Sequence, residues 1–180
     1  IGAITTAHEA LRPMNVSPDR LRFTWPDTEL HPNSGPAIGS RAQVMTGSAV
    51  RVACQNMLKE IKKGDGSYMT YAELKAADRP TRYYGTYTVP GVHCDEKAQG
   101  KPFMVYMYGV FMAEVTVEVE TGKVKVDKYT LMADEGKIVN RLALDGQNYG
   151  GIAQGIGLAL SEDFEDIQKH KTMAGACIPY

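Results

Sequence analysis

Two stretches of this chain carry residue types that could do chemistry. The first is the loop Gly35-Pro36-Ala37-Ile38-Gly39-Ser40-Arg41-Ala42-Gln43. Its glycines can take positive φ and let another molecule approach the backbone. A strongly periodic helix follows, which predicts a helix start near Ser40, with the hydroxyl capping the first-turn N–H groups. A glycine-containing loop feeding a helix N-terminus can bind an anion such as a phosphate. Arg41 adds a permanent charge with planar donors. The same stretch also fits a plain capped turn that binds nothing.

The second stretch runs from Leu144 to Leu160 and holds five glycines within twelve residues, at 146, 150, 151, 155 and 157. Each costs about 1 kcal/mol relative to alanine in a helix, so the missing side chains must serve a purpose. Without Cβ atoms, another backbone or a flat ligand can lie against the helix. Gln147 and Gln154 are seven apart and share one stripe, and each amide offers donors and an acceptor. That suits a planar, hydrogen-bond-rich ligand. Tight packing of the helix on a sheet, with solvated glutamines, is the alternative.

Other chemistries are poorly supported. His93, Cys94 and Asp95 are adjacent, so their side chains diverge and cannot easily share a metal. Cys54, Cys94 and Cys177 form no pair with metal-ligand spacing and fit reduced thiols in a cytoplasm-like compartment. The acidic run Ser161 to Asp166 reads as a solvated face. A net charge of −1 gives no reason to expect a nucleic-acid partner. No apolar run reaches the ~18 uncharged residues of a membrane helix, and Ile1 opens no signal-peptide pattern.

Several elements must position these stretches. Residues 2–12 read as a helix stopped by Pro13, and Leu21 to Trp25 as a short strand with Trp25 as a core anchor. Val50, Ala53, Cys54, Met57, Leu58 and Ile61 mark one face of a helix over 41–62. Ala72 to Ala77 reads as a short helix, and Tyr83, Tyr84 and Tyr87 as strand residues. Phe103 to Met112 reads as a strand covered on both faces. Val115, Val117 and Val119 continue it with one wet face, Thr121-Gly122 turns, and Val124 to Met132 returns as the partner. The expected fold class is α+β: a mixed, largely antiparallel sheet with a long hairpin, covered by two main helices. Both helix N-termini are expected to face one cleft, with 67–100 wrapping the outside. The chain opens without Met and inside an amphipathic pattern, so it is expected to be a piece of something longer, with apolar surface left open.

Four motifs occur in order: Trp25-Pro26-Asp27-Thr28, Gly39 to Gly47, Gly109 to Val117, and Tyr149 to Asp163. Together they resemble the molybdenum hydroxylases of the xanthine oxidase family, and among these the aldehyde oxidoreductases. The resemblance covers essentially all 180 residues and implies a partial molybdenum cofactor-binding domain over 1–180, continuing beyond both ends. It implies oxidation of aldehydes to carboxylic acids with molybdopterin cytosine dinucleotide and molybdenum, and [2Fe-2S] clusters in other domains. It further implies a cytoplasmic homodimer, with the periplasm as the alternative compartment, that passes electrons to an acceptor such as flavodoxin or ferredoxin. Gly39 is implied to lie near the molybdenum ligands, although no protein group binds the metal directly. Ser40, Arg41, Ala42 and Gln43 are implied to run along the pterin and its phosphates. Asn140 is implied near the nucleotide, and Gln147 and Gln154 on a helix facing the cofactor.

The family's general-base glutamate lies in a Gly-Val-Gly-Glu motif, and this sequence has none. The 180 residues alone are therefore expected neither to hold the cofactor tightly nor to turn over. Two alternatives remain at this level: a hydroxylase of purine-type N-heterocycles from the same family, and a degenerate scaffold domain without catalysis.

Overall fold

The structure, a computed structural model, describes residues 1–91, 93–162 and 172. It divides into two compact units, Ile1–Met104 and Val105–Tyr180.

The first unit is built on α1 (Gly2–Ala10) packed against α2 (Ser48–Ile61). The six periodic residues of α2 are all partly or fully buried, whereas Arg51, Gln55, Asn56, Lys59 and Glu60 are exposed. The 3.6-residue pattern thus assigns the packed face correctly. Leu11, Ile61 and Leu74 are the buried hydrophobic residues among those described. A tight loop follows α2, closed by Met69 N donating to Ile61 O at 2.9 Å and Lys63 N to Ser67 O at 2.8 Å. It leads to α3 (Tyr71–Ala76), which starts on a reciprocal cap. Thr70 Oγ1 accepts from Glu73 N, and Glu73 Oε2 accepts from Thr70 N at 2.6 Å. Lys63 donates to the other oxygen of Glu73, and these bonds hold its carboxyl at about 2.

Three sequence expectations fail in this unit. Leu21 to Trp25 forms no strand, and Trp25 is 83% exposed, touching Phe23 edge-on rather than anchoring a core. The tyrosine segment 83–87 is not a strand either. Its backbone lies along α2, where Asn56 Nδ2 donates to Tyr84 O at 3.0 Å. Gly85 sits directly on the α2 backbone, so that a Cβ there would overlap Ala49 O and Ala53 N. Alternation was present, but the partner was a helix.

The second unit is a hairpin followed by a long helix. β1 (Tyr108–Val117) and β2 (Val124–Asp134) pair antiparallel, from Tyr108 opposite Asp134 to Val117 opposite Val124, with a bulge at Glu114/Val115. The turn closes through Gly122, whose φ of 71° suits glycine. Glu114 and Lys128 pair across the strands at 3.1 Å. Asn140 then starts α4 (Arg141–Leu160). The α+β class is as expected, but the described residues contain one two-stranded antiparallel sheet and no mixed one. The strand begins at Tyr108 rather than Phe103, and every residue of β1 is exposed. The continuous apolar run that suggested cover on both faces meets none here, and its side chains stand open.

Replacing Gly85 with alanine is expected to destabilise the first unit toward the upper end of about 1–3 kcal/mol, because the obstructing atoms are helix backbone and cannot swing aside. Equilibrium denaturant unfolding measures this, and an unchanged midpoint would contradict the packing described.

Candidate functional site

The loop before α2 takes an uncommon backbone path. Gly35 and Gly39 have φ of 70° and 61°, and Ser40 follows at 56°. A left-handed non-glycine residue costs about 1–3 kcal/mol and tends to occur where a site is built. Ser40 therefore is not the extended N-cap expected from sequence. The helix starts later. Met45 N donates to Arg41 O at 2.9 Å, and a π-helical turn spans Gln43–Gly47 before α2 begins. Such turns are frequent at functional sites. Gly39, Ser40 and Ala42 are exposed, and a Cβ at Gly39 would meet nothing within 4 Å. The backbone here is open to a neighbour. The Arg41 guanidinium pairs with no carboxylate among the described residues.

Gln43 turns inward. Its Nε2 donates to Thr6 Oγ1 of α1 at 2.8 Å. A Cβ on Gly2 or on Gly47 would run into its carboxamide. The two glycines make a slot, and Gln43 fills it as a wedge between α1 and the π-turn. This fixes the loop that carries Gly39, Ser40 and Arg41.

The second unit holds the other sequence-predicted residues. Asn140 Oδ1 accepts from Ala143 N at 2.9 Å and caps α4. Sequence reading started this helix three residues late, although an asparagine just before a periodic run is a start signal. Gln147 and Gln154 are exposed. At about 100° per residue they lie within about 20° of each other, with Gly146, Gly150 and Gly157 on one side and Gly151 and Gly155 on the other. A Cβ at Gly146, Gly150, Gly151 or Gly155 would meet nothing within 4 Å. Close helix–sheet packing therefore does not account for these four glycines. They leave a bare margin on each flank of the glutamine ridge.

Beside that ridge lies a cleft of about 260 Å³. Phe111, Tyr129 and Leu131 supply hairpin surface, with Phe111 and Tyr129 in edge contact at 6.4 Å. Gln147, Asn148, Gly151 and Ile152 supply the helix side. Among the described residues Glu135 is the one charged residue lining it, and its Oε1 is buried without a hydrogen-bond partner among them. An unsatisfied buried acceptor costs about 1–3 kcal/mol. Sequence analysis did not single out Glu135. The signal was the period-2 series Tyr129, Leu131, Ala133, Glu135, which carries the carboxylate onto the apolar face of β2.

The sequence profile of the molybdopterin cofactor-binding domain matches residues 1–180. The chain belongs to this family. It is 64% identical over 182 residues to an aldehyde oxidoreductase of Megalodesulfovibrio gigas, covering 100% of this chain and 20% of that protein. A xanthine dehydrogenase of Oryza sativa subsp. japonica is 28% identical over 166 residues, covering 88% and 12%. Among solved structures, the aldehyde oxidoreductase of Desulfovibrio gigas superposes with a TM-score of 0.89 at 64% identity. That of Desulfovibrio desulfuricans ATCC 27774 does so at 0.90 and 56%. Each alignment covers 99% of this chain and 20% of the other, so the chain spans about a fifth of the length of these enzymes.

Molybdopterin joins a flat, N–H-rich pterin to a phosphate. The molybdopterin-binding domain described here offers features of matching kinds. Open loop backbone and an unpaired arginine suit an anion, and a glutamine ridge with bare margins suits a planar ring. Glu135 adds an acceptor that lacks a donor. Gly47→Ala is expected to cost about 1 kcal/mol, less than Gly85→Ala, because the obstructing atoms end a side chain that can swing aside with loss of its bond to Thr6, and most of this penalty should vanish in a Gln43→Ala background. A double-mutant cycle by denaturant unfolding reads the coupling, and additive effects would remove the wedge from the account.

Proposed function

We propose that this chain is the part of a molybdenum-dependent aldehyde oxidoreductase that cradles the pterin cofactor. The observation that carries this reading is the 64% identity over the whole chain to an aldehyde oxidoreductase, with matching backbone. Gly39, Ser40, Arg41 and Ala42 present backbone amides and one guanidinium to the cofactor's phosphates. Gln43 holds that loop in place from behind and adds its own backbone. Asn140, Gln147 and Gln154 face the pterin and the nucleotide attached to it, which we take to be cytosine dinucleotide.

The molybdenum–pterin group, when bound, supplies the centre that oxidises an aldehyde to a carboxylic acid. What this chain supplies is placement. Guanidinium–phosphate bonds are charge-assisted and directional, and glycine margins let the ring approach the backbone and exclude water from its face. No general base comes from the described residues, since none matches the family's Gly-Val-Gly-Glu motif. The complete enzyme is a homodimer with [2Fe-2S] clusters in other domains, and it delivers electrons to a flavodoxin or ferredoxin in the cytoplasm. No helix among the described residues is long and apolar enough to cross a membrane.

The full-length protein is expected to carry molybdenum near one per chain and to oxidise aldehydes in preference to purine-type heterocycles. Arg41→Ala should lower the pterin content of the purified protein about tenfold, which corresponds to one charge-assisted hydrogen bond of about 1.4 kcal/mol. Metal analysis, pterin fluorescence and a substrate screen test this together. A molybdenum-free protein would leave only the scaffold reading, and preference for a heterocycle would move the substrate class.

A further inference from the structure

We infer that Glu135 is a cofactor-reading residue, whose carboxylate accepts the amino-pyrimidine N–H edge of the bound cofactor. The inference rests on the molybdopterin-binding reading above and adds a residue which that reading does not assign. Glu135 Oε1 is buried and has no hydrogen-bond partner, and no cation pairs with it among the described residues. An ionised carboxylate is acceptor-only, so its missing partner must be a donor. A phosphate is excluded by like charge.

The cleft around Glu135 sets the shape of that donor. Phe111, Tyr129 and Leu131 give one broad apolar wall, which suits a flat ring. Across from it the helix side offers the amide of Asn148, and Gly151 leaves the backbone bare. A flat heterocycle with adjacent N–H groups satisfies all three features. Its donor edge meets the carboxylate in a paired, charge-assisted geometry, and its carbonyl meets an amide. The pterin has such an edge in its ring N–H and the adjacent amino group, and cytosine offers a single amino N–H to the carboxylate.

The experiment compares Glu135→Gln with the parent in the full-length protein, using two readouts. The first is the thermal midpoint of the apoprotein. Removing the charge from a carboxyl whose buried oxygen has no partner should leave the variant at least as stable as the parent. The second is the release rate of cofactor from the loaded protein, followed by fluorescence of the oxidised pterin. Glutamine places a donor against a donor edge, so release should quicken about tenfold or more. If the edge belongs to the pterin, the increase appears with cofactor loaded in both its nucleotide-free and its nucleotide-bearing forms. If it belongs to the nucleobase, the increase appears only with the nucleotide-bearing form. Equal release from parent and variant in both forms overturns the inference, as does a less stable variant apoprotein, which would make Glu135 a structural residue. A parent protein that takes up no pterin at all overturns the function proposed above, and this inference with it.

Discussion

A backbone can come into contact with a flat ligand only where side chains are absent, and the chain maintains that absence at a cost. Four glycines of α4 face open space, and each weakens the helix by about 1 kcal/mol. A fifth, Gly157, has Glu162 as its neighbour. The helix survives because it is long and because Asn140 caps it. Arg141 and Asp145 add an ion pair one turn apart, at 2.9 Å. Its two exposed glutamines are thereby held on one ridge, flanked by glycines at which a Cβ would meet nothing within 4 Å.

The loop before α2 obeys the same logic by different means. Here the backbone itself is bent into the left-handed region at Gly39 and Ser40, and exposed there. The strain is held by what lies behind the loop: a π-turn and a glutamine wedged into a slot made by Gly2 and Gly47. Packing on the inner side of the loop buys openness on its outer side. Glu135 extends the pattern, since its buried Oε1 is an acceptor left without a donor, at a cost that a bound donor would recover.

Local periodicity made much of this legible. The buried face of α2 follows its apolar spacing residue by residue, and the hairpin turns at Thr121-Gly122 as the sequence indicates. Two glycine-rich stretches announced where backbone would be exposed. What failed depended on partners that spacing does not name. Tyr83 to Tyr87 alternates like a strand but lies on a helix, because Gly85 permits a contact that no sheet provides. Trp25 is large and apolar, yet its neighbour is Phe23 on the same exposed segment. The run from Phe103 was read as buried on both faces, but cover is a tertiary property and composition only expresses the demand for it. Ser40 looked like a cap by type, while its φ assigns it to the bend. Asp163 and the acidic residues after it, like Cys177, lie outside the described residues.

The central claim is that the bent loop and the bare margins of α4 are each surfaces that bound cofactor covers. Amide hydrogen exchange of the full-length protein, with and without its cofactor, tests this most directly. Loading should slow exchange together in peptides spanning Gly39 to Gln43 and Gly146 to Gly155, while the β1–β2 turn around Gly122 stays unchanged. Protection confined to one of the two stretches, or absent from both, would contradict the account.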